Sequence, residues 1–220
     1  MRFAREGYPF IGAGALLAAA GWTAVGLGVG GAPASAAGGL FTTLTLFTVW
    51  FFRDPDQPTP QGPGLVIAPG QGKVIEVREA EEPSFLGGMS QRITIFLSVF
   101  DVHVQRAPVA GTVAHREYRP GKYMVAWKEK ASQDNEQASL GITTAHGKVL
   151  VRQIAGLVAR RIVTYPNEGE QVGRGDRIGL IRFGSRVDLF IPMDWQVTCA
   201  VGDRAVAGLT VLAKQPEEAA

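Results

Sequence analysis

Cysteine occurs once in 220 residues, at Cys199, so no intrachain disulfide can form and no cysteine-based metal site can be assembled. A lone cysteine among apolar neighbours reads as a small packing residue before it reads as a nucleophile. Histidine is nearly as scarce. His103, His115 and His146 are the whole supply, and none stands at a ligand spacing such as His-x-x-x-His, so no metal is expected. A glycine-rich phosphate loop leading from a strand into a helix is also missing. Charge excess is absent too: 22 basic side chains face 20 acidic ones, which removes the electrostatic reason to expect a nucleic-acid partner. The last gap is regional, because no charged side chain stands between Phe10 and Phe52.

Glycine, alanine, leucine, threonine and aromatics fill that gap. Residues 10–31 are long enough to cross a hydrocarbon core as a helix, and 36–52 are near the lower limit. The break at 32–35 (Ala-Pro-Ala-Ser) predicts a helical hairpin. Arg2 and Arg5 precede it and Arg53 follows it, so the positive-inside tendency puts both ends, and the rest of the chain, on the cytoplasmic side of the cell membrane. A secretory signal would account for Arg2, Arg5 and the small residues near Ala37. It would not account for a second apolar run bordered by Trp50, Phe51, Phe52 and Arg53, so an anchor over 1–52 is the preferred reading. Whether the hairpin spans the bilayer or re-enters one leaflet stays open.

Residues 53–220 read differently. Short apolar runs cut by glycine and proline recur at 64–68, 73–78, 92–99, 111–116, 149–154, 158–165, 177–182, 186–191 and 205–212. Their β-branched content and modest length predict strands, and no helical period is sustained after Phe52. The polar stretch 128–139 (KEKASQDNEQAS) lacks an apolar stripe and is expected to be a loop or short helix. The chain also echoes itself. APGQGKV at 68–74 matches APVAGTV at 107–113, and EQVGRGDRIGL at 170–180 matches AVGDRAVAGL at 200–209. Repeated turn-then-strand units resemble the barrel-sandwich layout of lipoyl and biotinyl carrier domains. The expected fold is therefore mainly β, a barrel-sandwich-like domain preceded by the apolar hairpin.

One dipeptide carries chemistry. In LIRFGSRVDLFIP at 180–192, the hydroxyl of Ser185 stands beside the carbonyl of Gly184. Backward attack would turn that amide into an ester, and β-elimination of the ester would leave an amino-terminal pyruvoyl group, an electrophile built from the chain itself. Gly184 has no Cβ to obstruct the approach. Most Gly-Ser pairs are ordinary turns, so the surrounding residues must decide.

LIRFGSRVDLFIP, together with FFRDPDQP at 51–58, SVFDVHVQRAPVAG at 98–111 and QIAGLVARRI at 153–162, resembles the phosphatidylserine decarboxylase family in its short form. Four separated motifs in order, covering the chain from about Trp50 onward, make the likeness specific. The resemblance implies a carboxy-lyase of phospholipid biosynthesis, made as a zymogen that cleaves itself between Gly184 and Ser185. The products would be a β chain of 1–184 and an α chain of 185–220, which stay together as a heterodimer; a higher oligomer is compatible with this. The pyruvoyl group formed from Ser185 would be the covalent cofactor. It would capture the amine of phosphatidylserine as a Schiff base and yield phosphatidylethanolamine and carbon dioxide. Membrane lipids are the implied partners.

Among the histidines the resemblance selects His103 as general acid and base, since family members carry a histidine at this place. If the segment is extended, Asp101 and His103 share one face, and Asp101 is the candidate to orient the ring. Two departures stand out. Arg106 occupies the place of a second histidine in long-form members, and Gln71, in Pro69-Gly70-Gln71-Gly72, replaces the aspartate of the family's Pro-Ala-Asp-Gly. Glutamine orients an imidazole but does not offset the charge of an imidazolium, so cleavage would be slowed, would rely on Asp101, or would fail. With Ser185, Gly184 and His103 all present, a processed enzyme is expected. Two alternatives are weighed against it: a membrane-tethered barrel-sandwich binding or carrier module without catalysis, and the same chemistry on an archaetidylserine with ether-linked tails.

Overall fold

The structure, a computed structural model, describes residues 2–122, 135–156, 162–182 and 185–216. Gly184 lies outside the described residues, as do 128–134 of the polar stretch and 158–161 of one expected strand. Contacts divide the chain into two units, 1–56 and 57–220.

In the first unit β1 (Arg2–Phe3) leads through a single 3-10 turn into α1 (Tyr8–Gly26), and α2 (Gly31–Phe51) returns to β2 (Arg53–Asp54), which pairs antiparallel with β1. That pairing carries the unit past residue 52. The helices turn at 27–30 rather than at 32–35. Gly28 and Gly30 take the left-handed backbone there, with φ of 72° and 80°, whereas Pro33 sits in the first turn of α2, where a missing N–H costs nothing. The helices pack closely: a Cβ on Gly21 would stand 2.7 Å from the backbone nitrogen of Gly38. Trp22 Nε1 donates to Thr42 Oγ1 at 3.0 Å across the pair. Their outer faces are apolar and exposed, with Leu16, Leu27 and Leu46 among the most open side chains. At the base, Arg53 stacks 4.0 Å from the ring of Trp50.

The second unit is all strand and turn among its described residues: β3 (Leu65–Ile67), β4 (Gly72–Glu82), β5 (Gly88–Leu97), β6 (Val104–Arg106), β7 (Gly111–Arg119), β8 (Gln137–Thr144), β9 (Gly147–Ala155), β10 (Ile162–Thr164), β11 (Gln171–Val172), β12 (Arg177–Ile181), β13 (Ser185–Ile191), β14 (Gln196–Val197), β15 (Arg204–Ala205) and β16 (Val211–Lys214). Eight of them form one curled antiparallel sheet in the order β11-β7-β8-β9-β13-β5-β4-β15. Two three-stranded sheets, β10-β12-β6 and β14-β16-β3, complete the domain, which is mainly β as expected. The core gathers one face of the large sheet, including Ile93, Ile95, Val151, Val187 and Leu189, against Val66, Ile181 and Leu212 from the smaller sheets. These side chains alternate along each strand, so the face they form follows directly from the period of two.

The repeated sequence is a repeated structure. Gly72 and Gly111 each begin a long strand where a Cβ would collide with a backbone oxygen, at 2.0 Å from Phe96 and 2.3 Å from Thr143. Each strand is then bulged two residues later, after Val74 and after Val113. The two copies bond to each other reciprocally: Ile67 N donates to Pro108 O and Arg106 N to Pro69 O, both at 3.0 Å. The second echo holds in a different register from the one read in sequence. Gly175 N donates to Ala107 O and Gly208 N to Ala68 O, both at 2.9 Å, so 169–175 corresponds to 202–208.

One strand escapes the sequence pattern. β8 runs over Gln137–Thr144, so the end of the polar stretch is strand rather than loop. Its outward residues Gln137 and Ser139 are polar and Gly141 has no side chain, which hides the alternation.

Candidate active site

Ser185 opens β13, which lies between β5 and β9 in the large sheet, with Leu97 opposite it on one side and Ala155 on the other. The residue is fully buried, and its Oγ has no hydrogen-bond partner among the described residues. A buried hydroxyl without a partner is costly, of the order of 1–3 kcal/mol, and is uncommon unless the group has work to do.

The strand beside it leads to the candidate base. One residue past Leu97, Ser98 begins a turn closed by Asp101, whose Oδ2 accepts from the backbone N–H and from the Oγ of Ser98, each at 2.8 Å. Arg204 donates to the other carboxylate oxygen. His103 follows, fully buried, with Nδ1 2.9 Å from the backbone carbonyl oxygen of Asp101. A carbonyl only accepts, so Nδ1 carries a proton, and in the neutral ring the lone pair then falls to Nε2, the tautomer suited to taking a proton. The extended geometry expected for 101–103 is not observed, because β6 starts only at Val104. Asp101 therefore meets the imidazole through its backbone, and its carboxylate is spent on the turn.

Gln71 sits half-buried in the turn before β4. That turn lies on the Ser185 side of the sheet, since a Cβ on Gly70 would touch Leu97 and Val187, each at 3.4 Å. No hydrogen bond joins the Gln71 side chain to His103 among the described residues. The other histidines are elsewhere: His115 stacks on Phe85 at 5.5 Å on β7, and His146 is exposed in the turn joining β8 and β9.

The sequence left one buried polar group unread. Gln105, two residues after His103, accepts from Gln153 Nε2 of β9, and Gln153 Oε1 accepts from Thr164 Oγ1 at 2.9 Å. Only the spacing Asp101-x-His103-x-Gln105, three polar positions alternating with Val102 and Val104, signalled it.

The reverse face of the large sheet is charged and mostly buried. Arg186 holds Asp188 with two parallel bonds of 2.7 and 2.8 Å, and Arg152 reaches Glu82 at 2.6 Å. Burial alone would raise the Glu82 carboxyl. Hydrogen bonds from Ser84 and from the backbone N–H groups of Leu86 and Phe85, with the charge of Arg152, outweigh that and hold it below its ordinary value. A cleft of about 310 Å³ on this face, lined by Glu82, Ser84, Glu117, Arg119, Ser139 and Arg152, lies on the opposite side of the sheet from Ser185. Cys199 is part of neither group; burial first, then the charge of Asp203, pushes its thiol up to about 11.

Comparison with known proteins shows the family to which the chain is similar. The family model described as phosphatidylserine decarboxylase matches residues 44–213. A phosphatidylserine decarboxylase proenzyme of Symbiobacterium thermophilum is 50% identical over 219 residues, covering 97% of this chain and 96% of the relative. A proenzyme of the same description from Geobacter sulfurreducens is 46% identical over 216 residues, covering 96% and 95%, and one from Xanthobacter autotrophicus is 44% identical over 223 residues, covering 98% and 92%.

Proposed function

Because the chain belongs to the phosphatidylserine decarboxylase family, we propose that it is made as a proenzyme, cleaves itself between Gly184 and Ser185, and then converts phosphatidylserine to phosphatidylethanolamine and carbon dioxide. It is a decarboxylase, which sets aside a non-catalytic carrier module. The observation that carries the self-processing reading is the fully buried hydroxyl of Ser185, without a partner among the described residues, at the head of a strand held on both sides.

The cleavage balances as follows. Ser185 Oγ attacks the Gly184 carbonyl carbon as its proton passes to a base, and the C–N bond breaks, moving the acyl group from nitrogen to oxygen. Loss of the Cα proton of residue 185 then expels the Gly184 carboxylate as the leaving group of a β-elimination. Hydrolysis of the remaining enamine releases ammonia and leaves the pyruvoyl group. His103, with Nδ1 tied to the Asp101 carbonyl, presents Nε2 as the acceptor for these protons. Ser98 and Arg204 fix the turn that carries it.

The residues present fit a pyruvoyl group. Ser185 is enclosed and flanked by Leu97 and Ala155, so a ketone there is shielded from bulk water. The group would supply an electron sink for the pair left when carbon dioxide departs from an amine-linked substrate. His103 would hold the proton to be delivered to the substrate carbon that loses carbon dioxide. The apolar hairpin keeps the protein at the bilayer surface where the headgroup is found, with Arg2, Arg5 and Arg53 on the cytoplasmic side.

Intact-mass analysis of the purified protein tests this. Two polypeptides ending and starting at 184 and 185 are expected, the smaller one closed to Edman degradation and reactive toward a carbonyl reagent. An active preparation composed of one unbroken chain overturns the proposal.

A further inference from the structure

Gln105 and Ser185 share an unusual property. Both are fully buried, and both end in a polar atom without a partner among the described residues, Nε2 in Gln105 and Oγ in Ser185.

The position of Gln105 is built rather than incidental. In the sheet β10-β12-β6, Thr164, Gly179 and Gln105 form one rung, each paired to the next. Gln153 reaches from β9 across Gly179, where a Cβ would stand 2.6 Å from its Nε2. It accepts from Thr164 on one side and donates to Gln105 on the other. This chain of bonds uses the oxygen of the Gln105 amide and turns its nitrogen, with two N–H donors, away from Gln153.

Through Gln153 the Gln105 amide is tied to the part of the large sheet that carries Ser185. Gln153 stands opposite Val187 and Ala155 opposite Ser185, so Gln153 and Ser185 are diagonal neighbours on one face of the sheet, roughly 7–8 Å apart at the backbone. His103 lies two residues before Gln105, and β12, the partner of β6, ends at Ile181, four positions before Ser185 in the sequence. The side chains sharing that face near Ser185, Leu97, Ala155 and Val187, are apolar.

We propose that the Gln105 side-chain amide receives the carboxylate of the substrate's serine headgroup, which makes it a specificity-determining residue of the site. The inference rests on the decarboxylase reading above. A neutral donor suits a group that must leave as neutral carbon dioxide. An arginine there would stabilise the carboxylate most strongly in the ground state and raise the barrier, since only interactions kept or strengthened in the transition state accelerate the step. A single amide orients the carboxylate and selects for it while the apolar surroundings leave its charge poorly solvated. Thr164 and Gln153 act through Gln105 and are positioning residues.

The test uses full-length protein in phosphatidylcholine vesicles containing either phosphatidylserine or phosphatidylethanolamine. Sodium cyanoborohydride reduces the covalent adduct, and mass spectrometry counts the lipid carried by the 185–220 chain. Phosphatidylethanolamine has the amine and the phosphate but no carboxylate. Gln105→Met keeps the volume and removes the donor. It is expected to cleave itself, to capture phosphatidylethanolamine within about twofold of the unaltered protein, and to lose roughly 10- to 100-fold in capture of phosphatidylserine and in kcat/KM, the range for one hydrogen bond to a charged group. Equal losses for both lipids, or no loss for phosphatidylserine, overturn the proposal. Should Gln105→Met fail to accumulate folded, Thr164→Val, which releases the far end of the chain, must show the same lipid-selective loss in smaller measure; an unselective loss overturns it. Unaltered protein that captures neither lipid defeats the pyruvoyl reading itself, and this proposal with it.

Discussion

His103 is oriented by the backbone of Asp101, not by its carboxylate: Nδ1 lies 2.9 Å from the Asp101 carbonyl oxygen, while the carboxylate binds Ser98 and Arg204. Substitutions at the two positions should therefore separate. His103→Ala removes the proposed proton acceptor and should slow both self-cleavage and decarboxylation by about 10²- to 10⁴-fold. Asp101→Asn keeps the carbonyl and should cost less than about tenfold, through a looser turn. The measurement is the cleavage half-time of freshly synthesised protein, followed by carbon dioxide release from the processed fraction. An Asp101→Asn variant as impaired as His103→Ala would show that the carboxylate takes part directly.

Glu82 makes stability depend on acid. Its carboxyl is held below the usual value of 4.5, so the unfolded chain takes up its proton first as pH falls. The stabilisation it contributes is complete above about pH 4.5 and is lost as pH falls further through the lower folded value. Melting temperature followed from pH 7 to pH 3 should drop below pH 4.5 in the unaltered protein. Glu82→Gln should melt lower at neutral pH, because Arg152 loses its anion, and should show a shallower acid slope. Parallel slopes in the two proteins would remove Glu82 from the acid response.

The Cys199 thiol, raised to about 11 by burial and by Asp203, should resist alkylation. At pH 8 only about one thiol in a thousand is ionised at such a value, and the thiolate is the reactive form. Iodoacetamide labelling at pH 8 should be far slower than that of a free thiol in a peptide, and Cys199→Ala should leave carbon dioxide release unchanged. Rapid labelling accompanied by loss of activity would contradict both the packing role and the raised value.

The legible parts of this molecule are those where one residue type has one physical use. A charge-free stretch of more than forty residues could only be apolar helix or buried core, and the Gly-Ser pair needed its neighbours but no tertiary knowledge. The repeats were visible because Gly72 and Gly111 both meet a backbone oxygen that tolerates no side chain. What failed was local in appearance and tertiary in cause. The hairpin turn belongs to Gly28 and Gly30, not to Pro33, because proline in a first helical turn starts a helix as readily as it stops one. β8 was hidden by a buried reverse face that welcomes Gln137 and Ser139. Gln105 was passed over because its meaning depends on Gln153 and Thr164, which are 48 and 59 positions away in sequence and come from two other strands.

Gln71 offers the sharpest test of the proposed self-cleavage, because it stands where the resemblance places the aspartate of Pro-Ala-Asp-Gly. Its turn is fixed on three sides: Pro69 O accepts from Arg106 N, Gly70 packs on Leu97 and Val187, and Gly72 sits against the Phe96 carbonyl. Exchanging the side chain there should leave the backbone in place, so Gln71→Asp acts through the side chain alone, adding a charge, removing the amide donors and shortening the chain by one methylene. A carboxylate on this side of the sheet would offset an imidazolium at His103 and lower the barrier to proton transfer from Ser185. With solvent-moderated electrostatics a gain of roughly three- to tenfold in cleavage rate is expected. The half-time can be read from the appearance of the 185–220 polypeptide after a pulse of synthesis. An unchanged half-time would mean that the imidazolium is already offset, and Asp101, one hydrogen bond from the ring through its own backbone, would be the anion to test next with Arg204→Ala.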